Sequence, residues 1–218
     1  MGKVRLRYSK AGQAKYISHL DLMATMHRAL IRAGVELKYS EGFNPHPYMS
    51  VALPLPVGLS SVCELMDFEL TAAQAPAGLP NHINKSLPHG IIVLEAYAPE
   101  RKFSDITWTG ISGSFTYDAG VPPHISESLT RRFMEKSIVI SKKTKRGLSD
   151  VDIAPFIRDI AFRDGDRLTM TGKISAQNPS LNPENLMSAL TGEFVGLLPD
   201  FHVFTRTEVF DGALNIFR

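Results

Sequence analysis

The chain has 218 residues, 44% hydrophobic and 21% charged, an apolar content that supports a buried core and excludes a disordered or collagen-like chain. Its 24 Lys and Arg against 22 Asp and Glu impose no bulk attraction to nucleic acid or membrane, so charge has to be followed locally. No run reaches the roughly 18 apolar residues of a membrane span, nothing at the start reads as a signal peptide, and the lone Cys63 excludes an intrachain disulfide or a multi-cysteine metal site and suits a reducing compartment, so a cytoplasmic chain is expected.

Residues 3–9 alternate Val4, Leu6 and Tyr8 with Lys3, Arg5 and Arg7, the period-two signature of a strand with one buried face and one exposed, cationic face. Ser18 with Asp21 three residues on resembles a capping box, and Leu20, Met23, His27, Leu30 and Ile31 recur at helical spacing as far as Gly34. These predict a helix over 19–33 with that apolar stripe. Residues 35–39 read as extended, and the two prolines of the following SEGFNPHPYMS loop forbid helix. Residues 51–55 are apolar and extended, 63–70 alternate as a strand, 75–87 form a weaker helix ending before Pro88, and 91–97 are a strongly apolar strand. The sum is βαββαβ within about 100 residues, the order of a ferredoxin-like split βαβ unit.

The order recurs with strands at 111–117 and 137–141 around a helix at 124–135, then strands at 151–162 and 168–174, a helix at 183–191 and a strand at 201–209. The expected fold is therefore α+β, two tandem ferredoxin-like units at 1–100 and 108–218. The second carries a basic insertion near 142–147, and a polar link lies near 98–107.

Several residues could carry chemistry. The Tyr39 to Tyr48 segment combines Gly42, Phe43, Asn44 and a proline-bracketed His46 in one stiff loop, which is either a turn whose aromatics cap the core or a binding loop on a scaffold. His19 opens the first helix, where the dipole favours a neutral imidazole able to act as a base; with His46 it forms the candidate catalytic pair. His27 reads as a core-edge histidine, and Asp67 and Glu69, two apart on one strand, read as surface carboxylates. Residues 1–40 hold eight basic residues (Lys3, Arg5, Arg7, Lys10, Lys15, Arg28, Arg32, Lys38) against Asp21 and Glu36. A second basic cluster comprises Lys136, Lys142, Lys143, Lys145 and Arg146. Cations with aromatics such as Phe43 and Tyr48 are what single-stranded RNA requires, for phosphates and for stacked bases. The candidate binding residues are thus Arg5, Arg7, Lys15, Phe43, Asn44, His46, Tyr48, Lys142, Lys143, Lys145 and Arg146. No Walker loop, GxGxxG, GxSxG or HExxH motif occurs, and neither a metal nor another cofactor is expected of this chain.

The runs YSKAGQAKYISHLDLMATMHRALIRAG, YSEGFNPHPYMSVALPLPVGLSS and ELMDFEL, with SDVDIAPFI, SLNPENLMSAL and TRTEVF further on, resemble the uncharacterised radical-SAM-associated domain of bacteria. That domain occurs alone or attached to cobalamin-binding radical SAM proteins. The resemblance implies a radical SAM partner and, through neighbouring genes for a G-type ribonuclease and ribosomal proteins, a link to RNA. Where the family usually has a basic residue after the second Pro of NPHP, this chain has Tyr48.

Three readings follow. The first is an RNA-binding accessory module that presents tRNA or rRNA to a radical SAM enzyme. The second is a stand-alone metal-independent ribonuclease or transferase using His19 and His46. The third is a protein-interaction domain docking the radical SAM partner through the Leu53-Pro54-Leu55-Pro56 edge.

Overall fold

Strand β1 (Lys3–Lys10) sends Val4, Leu6 and Tyr8 into a hydrophobic core, as its alternation predicts. In the computed structural model, residues 2–72, 78–144 and 147–218 are described, without the side chains of residues 143, 144 and 193. Among them are ten strands and four α-helices, a mixed α/β arrangement dominated by sheet. The chain divides into two compact units, Met1–Asp105 with Arg218, and Ile106–Phe217. No helix among the described residues is long and apolar enough to cross a membrane.

In the first unit β1 is followed by a 3-10 turn (Gly12–Tyr16), α1 (His19–Arg32), β2 (Met49–Val51), β3 (Ser60–Glu69), α2 (Leu79–Asn84) and β4 (Ile91–Tyr97). The sheet order is β4-β1-β3-β2, with every neighbouring pair antiparallel. Ser18 caps α1 as its spacing predicts: its Oγ accepts from the Asp21 amide at 3.2 Å and donates to the Asp21 carboxylate at 2.7 Å. The buried stripe of the helix differs from the expected one. Leu22, Met26, Ala29 and Leu30 face the core, while Leu20 (78% exposed) and Ile31 (50% exposed) lie outside. Both stripes have helical spacing; the one turned inward places Met26 rather than the polar His27 at its centre, and Ala29 permits close packing on the sheet.

The basic face of β1 is closed to solvent at its centre. Arg5 is fully buried and forms a fork with Asp67, its partner across β3, at 2.7 and 3.0 Å. The same guanidinium donates to the Arg101 carbonyl at 2.9 Å and lies 4.3 Å from the Phe103 ring centroid. Lys3 reaches Asp67 at 3.1 Å, and the partly exposed Arg7 pairs with Glu95 at 3.4 Å. Lys10 is buried too and donates to the Ile17 carbonyl at 3.1 Å. Desolvation pushes its ammonium below the ordinary lysine value, against the opposing pull of Glu64. Alternation identifies the two faces of β1 but not what covers the polar one, so the expected exposed cation at Arg5 is replaced by a buried ion pair.

Cys63, expected at the start of β3, sits inside that strand and is buried. Along the expected Leu53–Pro56 edge Leu55 is buried, Leu53 is half-buried, and Pro54 and Pro56 are exposed. Only Met49–Val51 pairs as a strand there, ahead of the expected 51–55.

The second unit contains β5 (Trp108–Thr116), α3 (Ile125–Phe133), β6 (Val139–Thr144), β7 (Gly147–Asp152), a 3-10 turn (Ala154–Phe156), β8 (Ile157–Arg163), β9 (Leu168–Ser175), α4 (Glu184–Met187) and β10 (Phe201–Phe210). Its sheet order is β10-β5-β9-β8, again antiparallel throughout. Phe115 centres the core, with ring centroids of Phe162 and Phe204 at 6.3 and 5.8 Å; Phe133 stacks on Phe162 at 5.7 Å. The segment expected as a sheet strand at 137–141 instead enters a separate hairpin in which β6 pairs with β7. The single strand expected over 151–162 is divided by Pro155, which supports the 3-10 turn and cannot donate to a ladder. Asp152 organises the break by accepting from the amides of Ile138 at 2.8 Å and Ala154 at 3.0 Å.

Two outcomes are expected. Asp67→Asn leaves the Arg5 charge buried beside a neutral amide, and urea unfolding of the full chain should show a loss of about 3–5 kcal/mol; a loss below 1 kcal/mol, taken as about the worth of a surface pair, rules out the ion pair as the anchor of this sheet. The bonds from Ile138, Ala154 and Ser137 hold the Asp152 carboxyl below its ordinary 3.8. Their stabilisation is therefore complete above that value and disappears as pH falls through the lower folded one. The Ile138 and Ala154 amide resonances should titrate with midpoints below 3.8; a midpoint at or above it contradicts this arrangement.

Candidate functional site

The loop singled out by its composition is a zipped arch rather than an open turn. Its legs leave the sheet at Glu69, whose carbonyl accepts from the Lys38 amide at 2.9 Å and whose amide donates to the Tyr48 carbonyl at 3.0 Å. The Tyr48 amide donates to the Lys38 carbonyl at 3.0 Å, Tyr39 bridges Pro47, and the Ser40 amide donates to the His46 carbonyl at 2.8 Å. The Ser40 hydroxyl accepts in turn from the His46 amide at 3.0 Å. Gly42, at φ +116°, supplies the reversal that an L side chain resists. Pro45 and Pro47 limit the return leg to extended backbone.

Side chains brace both legs. His27 of α1 shares a hydrogen bond of 2.8 Å between its Nε2 and the Tyr39 hydroxyl, with the two rings edge-on at 5.9 Å. Lys38 pairs with Glu69 at 3.1 Å and sits 5.0 Å from the Tyr48 ring centroid. At the tip nothing covers Phe43, whose exposure of 111% equals that of a free side chain. Beside the base, a cleft of about 220 Å³ is lined by Lys3, Tyr48, Ser50, Asp67 and Glu69. The 3-10 turn offers a second cation and ring, with Lys15 lying 5.0 Å from the centroid of the exposed Tyr16.

The structure brings Phe43, Asn44, His46 and Tyr48 together on this one arch, all exposed, and gives Lys15 a ring of its own. Arg5 and Arg7 are withdrawn into ion pairs. Lys142 is exposed on β6; Lys145 and Arg146 lie outside the described residues, as does the side chain of Lys143. His19 is the first residue of α1 and is exposed, as is His46. Among the described residues neither imidazole has a hydrogen-bond or ion-pair partner, so no group orients either one as an acid or base. Among the described residues no three His, Cys, Asp or Glu side chains converge in a metal-binding arrangement.

Sequence reasoning missed the bracing residues Lys38, Tyr39 and His27. The signal was faint: His27 and Tyr39 are 12 positions apart with no motif linking them, and Lys38 was visible only as one member of a basic excess.

Residues 3–183 of the chain match the family described as "Uncharacterized protein conserved in bacteria (DUF2344)". The chain belongs to that family. Within the DUF2344 match lie the whole arch, α1 with His27, and the β6–β7 hairpin. No curated protein matches the chain.

Tyr39→Phe removes the hydroxyl that meets His27. The expected outcome is a stability loss of about 0.5–1.5 kcal/mol, with faster backbone motion at residues 40–46 in 15N relaxation. Unchanged relaxation would mean that the backbone zipper alone holds the arch.

Proposed function

We propose that this DUF2344 protein is an RNA-binding accessory module of the bacterial cytoplasm, working with a radical SAM enzyme in tRNA or rRNA modification or processing. The observation that carries the reading is the fully exposed Phe43 at the tip of a hydrogen-bonded arch that also exposes Tyr48. A nucleobase is a planar partner that stacks on such a ring irrespective of sequence. Lys15 beside the exposed Tyr16 repeats the pairing of ring and cation that single-stranded RNA uses. Lys142 on the exposed β6–β7 hairpin supplies a further phosphate contact. The radical SAM partner rests on the family resemblance of the sequence blocks. The two sheet orders, β4-β1-β3-β2 and β10-β5-β9-β8, each with a helix after the first strand and after the third, support reading the chain as tandem ferredoxin-like units.

A second reading has an observation of its own. The outer stripe of α1 leaves Leu20 and Ile31 exposed on either side of His27, a helix face suited to docking the partner enzyme without RNA.

A titration with tRNA and rRNA fragments at two salt concentrations separates them. Phe43→Ala should weaken RNA binding by the worth of one stacked base, about 1–3 kcal/mol or roughly 5- to 150-fold, without changing the salt slope. Lys142→Gln should flatten that slope by about one phosphate. Absence of RNA binding at low salt, with partner binding lost in Leu20→Ser/Ile31→Ser, would replace the first reading by the second.

A further inference from the structure

Of the eight cations in residues 1–40, Lys3, Arg5, Arg7 and Lys38 are held by carboxylates. Lys10 is buried against a carbonyl, and Lys15 lies on Tyr16. Arg28 and Arg32 remain, and they are not scattered. They line one cleft of about 470 Å³ together with Thr25, Lys85, Ser86, Leu87 and Pro88. Among the described residues no hydrogen bond or ion pair engages the side chain of Arg28, Arg32 or Lys85, and no carboxylate lines the cleft. We propose that this cleft, formed by the C-terminal half of α1 and the turn after α2, binds the oxyanion of a phosphate ester.

Arg28 and Arg32 are four residues apart on one helix, so their guanidiniums share a face and repel one another. Arg32 stands in the last turn of α1, where a cation complements the carbonyl end of the helix. Arg28 lies a turn earlier, beyond the reach of that effect, and its charge gains nothing from the helix. Lys85, the residue that ends α2, brings a third positive charge to the same cleft from another element. Two planar forks, a point charge and two hydroxyls in a concavity match a phosphate, whose oxygens take bidentate guanidinium bonds and accept from hydroxyls. A carboxylate ligand would use one fork and leave two cations unanswered. The volume lies within the roughly 300–1,000 Å³ of small-molecule sites, so the ligand is either a small phosphorylated molecule or a phosphate of an RNA backbone. The site is independent of the Phe43 arch and holds whether or not the RNA reading does.

The probe is pyrophosphate, titrated into the 15N-labelled full chain at low salt. Saturable shifts are expected at the amides of Thr25, Arg28, Arg32, Lys85 and Ser86. Arg28→Gln/Arg32→Gln, both exposed positions where glutamine keeps helix propensity, should weaken binding about tenfold or more. Arg163→Gln/Arg167→Gln, which removes two exposed cations from the second unit, should leave it unchanged. Competition by a short single-stranded RNA, retained in Phe43→Ala, assigns the cleft to backbone phosphate; pyrophosphate binding without competition assigns it to a small phosphorylated ligand. The latter result upholds the cleft even where the RNA reading fails. No saturable shift below about 10 mM pyrophosphate, or an equal loss in the Arg163/Arg167 variant, overturns the proposal.

Discussion

A guanidinium cannot shed its proton at any pH a folded protein meets, so burying one obliges the fold to surround it with acceptors. Arg5 imposes that obligation on the first unit. Asp67 answers with both oxygens, the Arg101 carbonyl with a third bond, and the Phe103 ring closes one side. The pair is also a register lock. Arg5 lies opposite Asp67 and Lys3 opposite Glu69. A slip of one residue between β1 and β3 would turn the charges towards the helices and the apolar residues away from them. The position of Glu69 follows from that register, and both legs of the aromatic arch hydrogen-bond to its backbone.

Elements whose cause is local were readable from sequence. The strongly apolar run of 91–97 corresponds to β4 (Ile91–Tyr97) and the Ser18 cap to the start of α1, because a cap and a short apolar run are written within a few residues. What failed depended on distant partners. The alternation of β1 distinguishes a polar face but contains no trace of Asp67, 62 residues away. The choice between two stripes on α1 is made by the sheet beneath it. In the second unit, Pro155 stands inside the expected strand over 151–162 and divides it at the 3-10 turn.

The candidate site was legible in part for the same reason. Phe43, Asn44, His46 and Tyr48 are contiguous, so one loop composition revealed them together. The basic residues were visible as a count, but a count does not say which charges are spoken for. Only the structure separates the cations consumed by Asp67, Glu69 and Glu95 from those that remain available.

Cys63 is the sole thiol of the chain, and it is 1% exposed, with its sulfur 3.7 Å from the Ser61 hydroxyl. A thiol so enclosed meets reagents slowly. The native protein is therefore silent towards maleimide chemistry without any cysteine being deleted. Asn44→Cys on the arch and Lys142→Cys on the hairpin can each carry a spectroscopic label alone, and together they turn the chain into its own ruler between the two units.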